Sequence, residues 1–136
     1  MASFTLLITS SPFKSTQHEA ALRFARAALS QKNEANDSLH CIKRVFFYGD
    51  AVLVANVAQQ SPQGQQSTLA GWLELAKTHQ VALHACIANS LRRGIADESE
   101  RSRYDLEAAV LHPTFQLMGL GEMTEAYSDS DRLIQF

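Results

Sequence analysis

Five short apolar runs, FTLLITS, LHCIKRVFFY, VALHAC, TFQLMG and RLIQF, punctuate the chain, and most are separated by segments of helical period. This alternation constrains the fold more than any other feature. A strand followed by a helix and then a parallel strand needs a right-handed crossover, so the pattern predicts an α/β fold: one three-layer domain with a mostly parallel sheet of about five strands and helices on both faces.

Local signals place the elements. FTLLITS predicts a first strand ending near Ser10, and the polar SPFKSTQ leads into a helix from about His18 to Gln31. In that helix Ala21, Phe24, Ala25, Ala28 and Leu29 form one apolar stripe. NEANDS supplies turn chemistry before a second strand from about Leu39 to Tyr48, rich in β-branched and aromatic residues. AVLVANVA, from Ala51, is too short for periodicity to decide between strand and short helix. Beyond the SPQGQQ loop, Ser67 or Thr68 can cap a helix whose stripe is Leu69, Trp72, Leu73 and Ala76. Asp97 and Glu100 have capping-box spacing, which predicts a solvated helix starting in DESERSRYDLEAA. GLG at Gly119 to Gly121 reads as an entry turn into a last helix, GEMTEAYSD, before the terminal strand RLIQF.

With 136 residues, 46% of them hydrophobic, the chain is long enough for a single domain over residues 1–136 and short for two. The net charge of -2 arises from interspersed acids and bases, which argues against direct nucleic-acid binding. MASFTLLITSSPF has no basic leading region, and its apolar run from Phe4 to Ile8 is too short for a signal peptide or a membrane span. The expected location is the cytoplasm, with no membrane partner.

The two cysteines, Cys41 and Cys86, form no CxxC pair, so a disulfide scaffold or thiolate zinc site is not expected. Cys41 falls near the start of its strand and Cys86 at the end of VALHAC, so in a parallel sheet they lie too far apart to pair. Packing in the core is the simpler reading of Cys41. Cys86 stands where reactive groups gather in parallel sheets, beyond the carboxyl end of a strand. If a helix begins at Ile87, its unpaired N–H groups favour thiolate over thiol there.

Other polar residues carry weaker signals. His84 precedes Cys86 by two positions, about 7 Å along a strand, so direct proton transfer between them is disfavoured. A polar side chain in a partly covered strand is the simpler reading. Arg92 and Arg93 either dock an acidic partner, tune the thiol site or are simply solvated. The scattered histidines have no metal-binding spacing, and no complete nucleotide-binding motif occurs. Trp72 belongs to the buried stripe. Phe13, AVLVANVA and Phe136 are candidates for an assembly surface, with packing inside the monomer as the alternative.

VALHACIANSLRRGIADESE resembles the active-site segment of the DsrE-like sulfurtransferase family. SSPFKSTQHEAALRFARAAL, RVFFYGDAVLVAN and GLGEMTEAYSDSDRLIQF are similar, in order, to its first loop and helix, its second strand with the following segment, and its terminus. Two departures are Ala51, where relatives often carry glycine, and the poorly matching stretch from Glu107 to Thr114.

The resemblance implies a cytoplasmic persulfide carrier in the relay that 2-thiolates the tRNA wobble uridine, with Cys86 holding the sulfur and no cofactor. It implies TusB-like and TusC-like partners in a heterohexamer of two heterotrimers, a TusA-like donor and a TusE-like acceptor. A DsrE-type subunit of a sulfur-oxidation pathway and a noncatalytic scaffold subunit are the alternatives.

Overall fold

The computed structural model describes residues 1–14 and 16–136. Ser15, in the polar stretch before the first helix, lies outside them. Five strands, β1 (Ala2–Ile8), β2 (His40–Phe47), β3 (Ala82–Cys86), β4 (Phe115–Met118) and β5 (Arg132–Gln135), form one sheet in the order β4-β3-β2-β1-β5. Every pairing is parallel. The helices are α1 (Gln17–Ser30), α2 (Thr68–His79), α3 (Ile87–Arg92), α4 (Glu98–Arg103) and α5 (Leu120–Asp129). The architecture is thus the three-layer α/β fold that the alternation predicts.

The topology fixes which face each helix covers. From β1 to β4 the chain steps along the sheet in one direction, and from β4 to β5 it returns across it. Right-handed crossovers therefore put α1 and α2 on one face and α5 on the other. Successive residues of β2 display the result. Phe47 packs edge-on against Trp72 of α2 at 5.2 Å between ring centroids, whereas Phe46 faces a cleft beneath α5. On the first face α1 buries His18, Ala21, Leu22, Ala25, Ala28 and Leu29. Gly71 lets α2 approach closely, since a Cβ there would lie 2.9 Å from a methyl of Leu22. Ser67 caps α2, its hydroxyl accepting from the Ala70 N–H at 3.3 Å.

Several boundaries move. The first strand ends at Ile8, before Ser10. AVLVANVA takes the second of its two readings, a short helix: Gly49–Ala55 is a 3-10 helix, with Ala51, Val52, Val54 and Ala55 fully buried. Most of that segment packs inside the monomer; only its end, Val57 at 45% exposure and Ala58, is open to solvent. Phe136 is also used internally, its ring against Phe24 at 6.0 Å and its backbone bonded to Leu7 and Thr9. Phe13 alone of these candidates is broadly exposed, at 61%. The helix capped by Asp97 forms, with the Asp97 carboxylate accepting from the Glu100 N–H at 2.8 Å. It stops at Arg103, and Asp105 adopts a left-handed φ of 52°. Cys41 is half-buried rather than a core residue.

The register of β1 against β2 shifts between Phe4, opposite Ile42, and Thr5, opposite Arg44. Lys43 is the extra residue. A bulge breaks the two-residue alternation, and here it allows Lys43 and Arg44 to reach the same acceptor, Asp129 at the end of α5.

Candidate functional site: a buried thiol beside a cleft

Cys86 is both the last residue of β3 and the N-cap of α3. The strand ends there because the chain turns directly into IANSLR, whose first N–H groups have no acceptor within the helix. The turn is held from the side. Asn89 Oδ1 accepts from the Gly49 N–H at 2.7 Å, and the Arg93 guanidinium donates to Asp50 Oδ1 at 2.9 and 3.1 Å and to the Asn89 carbonyl at 3.0 Å. Gly49 makes this possible with a left-handed φ of 59°. Arg93 is therefore a brace between α3 and the 3-10 helix. Arg92, its neighbour, is exposed to solvent.

The strand-end position of Cys86 is as the sequence implies. Only 1% of the residue is accessible. Alternation puts Leu83 and Ala85 against the face of α1 and α2, and His84 and Cys86 toward α5. Met118 of β4 lies opposite Cys86 in the register, and Tyr48 follows directly after the Phe47–Ala85 pair of β2 and β3. Cys41, near the amino end of β2, is at the opposite end of the sheet from Cys86.

Below the thiol, between α5 and the sheet, runs a cleft of about 340 Å³. His84 and Met118 line the part nearest Cys86, Phe46 forms its floor, Glu122 and Met123 come from the first turn of α5, and Arg44 with Asp129 close the far end. There Asp129 accepts from Lys43 at 2.7 Å and from Arg44 at 2.6 Å, and these two hydrogen-bonded cations hold its carboxyl down at about 2. Lys43 also donates to the Asp129 carbonyl. Arg44 further donates to Thr5 Oγ1 at 3.2 Å, so each of its terminal nitrogens has a partner.

His84 is half-buried in this cleft, and its ring makes no hydrogen bond to another described residue. Burial, followed by the positive charge of Arg44, lowers its pKa from 6.5, with Glu122 opposing. The imidazole is therefore neutral at pH 7. Sequence reasoning had no signal for this cleft, because α5 and β3 meet only through the long return from β4 to β5. Among the described residues no group of three or more His, Cys, Asp or Glu is placed to hold a metal ion. No helix is long and apolar enough to cross a membrane.

A solitary cysteine closing an inner strand of an all-parallel five-stranded sheet, with one helix crossing the face toward which it points, defines a recognisable class. The chain belongs to the DsrE/DsrF-like family, whose model matches residues 2–136. It is 39% identical over 136 residues to the sulfurtransferase TusD of Pectobacterium atrosepticum, covering 100% of both chains. With the putative sulfurtransferase DsrE of Allochromatium vinosum it shares 37% identity over 133 residues, 98% of this chain and 97% of that protein. The crystal structure of the YchN protein from E. coli has the same fold, with a TM-score of 0.73 over 100% of both chains at 20% identity.

Proposed function

We propose that Cys86 carries sulfane sulfur as a persulfide, accepting it from a TusA-like donor and passing it to a TusE-like acceptor for 2-thiolation of the tRNA wobble uridine. The enzyme class is sulfurtransferase, as in the TusD proteins that match over the full length. The partners in this reading are TusB-like and TusC-like subunits, in a cytoplasmic heterohexamer of two heterotrimers. One observation carries the assignment to Cys86: of the two cysteines, it alone ends a strand where the sheet meets a helix start.

The chemistry needs no cofactor. Cys86 as thiolate attacks the outer sulfur of the donor persulfide, the S–S bond breaks, and the donor departs as thiolate. Cys86 then bears the S–SH group. An acceptor thiolate attacks that outer sulfur in turn and releases Cys86. Because the thiol is buried in the isolated chain, this reading requires it to be uncovered for exchange, and we infer that the route is the cleft beneath α5, lined by His84 and Met118.

Mass spectrometry after incubation with a persulfide donor tests the carrier. The expected result is a gain of one sulfur atom on the peptide containing Cys86, lost in Cys86→Ser and kept in Cys41→Ser. Equal sulfur uptake by wild type and Cys86→Ser overturns the assignment and leaves the scaffold role. The near-equal identities to TusD and DsrE proteins also support a second reading, a DsrE-type subunit of sulfur oxidation. Sulfur handover to a TusE-like acceptor separates the two.

A further inference from the structure

We propose that His84 is the general base of the handover step, taking the proton from the acceptor thiol as that thiol attacks the persulfide on Cys86. The inference rests on the carrier reading of Cys86. It names the residue that activates the second substrate.

Geometry carries it. His84 and Cys86 project from the same face of β3 two residues apart, a separation of about 7 Å. That distance is too long for the imidazole to touch the cysteine sulfur. It suits a substrate placed between them. In an in-line exchange the attacking sulfur, the outer sulfur and Cys86 Sγ form a row about 4 to 5 Å long, roughly two stretched S–S bonds. The attacking sulfur then lies within hydrogen-bond reach of a ring about 7 Å from the cysteine. His84 and Met118 both line the cleft, and Met118 lies opposite Cys86 in the sheet register.

The surroundings leave the imidazole available. Facing it are Arg44 from β2, Cys86 from its own strand, and Glu122, Glu125 and Asp129 from α5. Arg44 and Asp129 are committed to each other. β4 contributes Met118, which does not titrate. Burial keeps the ring neutral at pH 7, the form that accepts a proton.

The step balances without an oxidant or reductant. His84 removes the proton of R–SH, and the thiolate R–S⁻ attacks the outer sulfur of Cys86–S–SH. The old S–S bond breaks as the new one forms, giving R–S–SH, and its electron pair returns to Cys86 Sγ. The imidazolium releases its proton to solvent.

The test uses the full chain loaded with cysteine persulfide and unloaded by N-acetylcysteine between pH 6.5 and 8.5. In wild type the handover rate is expected to depend less on pH than in the variants near pH 7, because the base there is already mostly deprotonated. In His84→Gln and His84→Asn it should be at least about tenfold slower at pH 7. It should then climb about tenfold per pH unit as the free thiol ionises. An aryl thiol already ionised at pH 7 needs no base, so both variants should unload to it at the wild-type rate. Wild-type rates and profiles in both variants, or an equal slowing with the aryl thiol, overturn the role of His84. Persulfide loading measured by mass in the same samples reports separately on Cys86, so the two readings fail independently.

Discussion

Trp72 Nε1 donates to His18 Nδ1 at 3.1 Å, and that bond fixes the tautomer of a buried histidine. With Nδ1 accepting, Nε2 carries the hydrogen and donates to the Ser10 carbonyl at 2.8 Å. Both ring nitrogens are satisfied only in the neutral form. Burial lowers the pKa of His18 from 6.5, with the Ser10 bond opposing. The unfolded chain therefore binds a proton that the folded chain refuses, so this contribution is intact above about pH 6.5 and is lost as pH falls below it. Thermal unfolding should show a lower midpoint at pH 5.5 than at pH 7.5. His18→Gln, which can still accept and donate, should be less sensitive to that change. An unchanged pH dependence in the variant refutes the assignment.

The burial of Cys86 predicts an order of thiol reactivity. In the isolated native chain the half-buried Cys41 should alkylate before Cys86. Met118→Ala, which trims the side chain opposite Cys86, should speed Cys86 labelling several-fold and leave Cys41 unchanged. Peptide mapping after timed iodoacetamide treatment gives both rates. Unaltered Cys86 labelling in the variant would show that access does not pass Met118.

Gly49 offers a test of the brace behind the site. A Cβ there has room, since its nearest neighbour is the Thr9 carbonyl at 3.9 Å. The cost of Gly49→Ala is therefore conformational, about 1 to 2 kcal/mol for an L-residue held at positive φ. Urea unfolding should report a loss of that size. A neutral substitution would mean that the 3-10 helix can start without the left-handed residue.

Asp129 latches α5 to the bulge in β2. Asp129→Asn should weaken both ionic contacts and raise amide hydrogen exchange in the last turn of α5, with β3 unaffected. Because Asp129 is half exposed, at 51% of its side chain, global stability should change little. The carboxyl titrates at about 2, below its usual 3.8, so the latch is present above pH 4 and released as pH falls through 2. Exchange mass spectrometry at neutral pH checks the variant.

The alternation of apolar runs and helical segments carried the architecture, because a parallel sheet admits few connections once strand and helix order is known. The strand-end position of Cys86 was equally legible, as was the helix entry at Gly119. What the sequence hid depended on contacts remote in the chain. The bulge at Lys43 appears only when β1 pairs with β2, and the Asp50 partner of Arg93 only when the 3-10 helix meets α3. His18 reads as one polar residue at a helix start, yet Trp72, 54 positions away, makes it part of the core. The cysteine type itself favours burial of Cys86, but its register partner Met118 on β4 emerges only from the sheet pairing.

The two sides of the sheet are clothed unequally. Paired helices and an aromatic cluster stiffen one side, whereas a lone helix, pinned by a carboxylate at its far end, spans the other. Motion can then be confined to the thin side while β3 stays anchored to the thick one. On the proposed carrier role of Cys86, the fold thereby separates holding the cargo from opening the door.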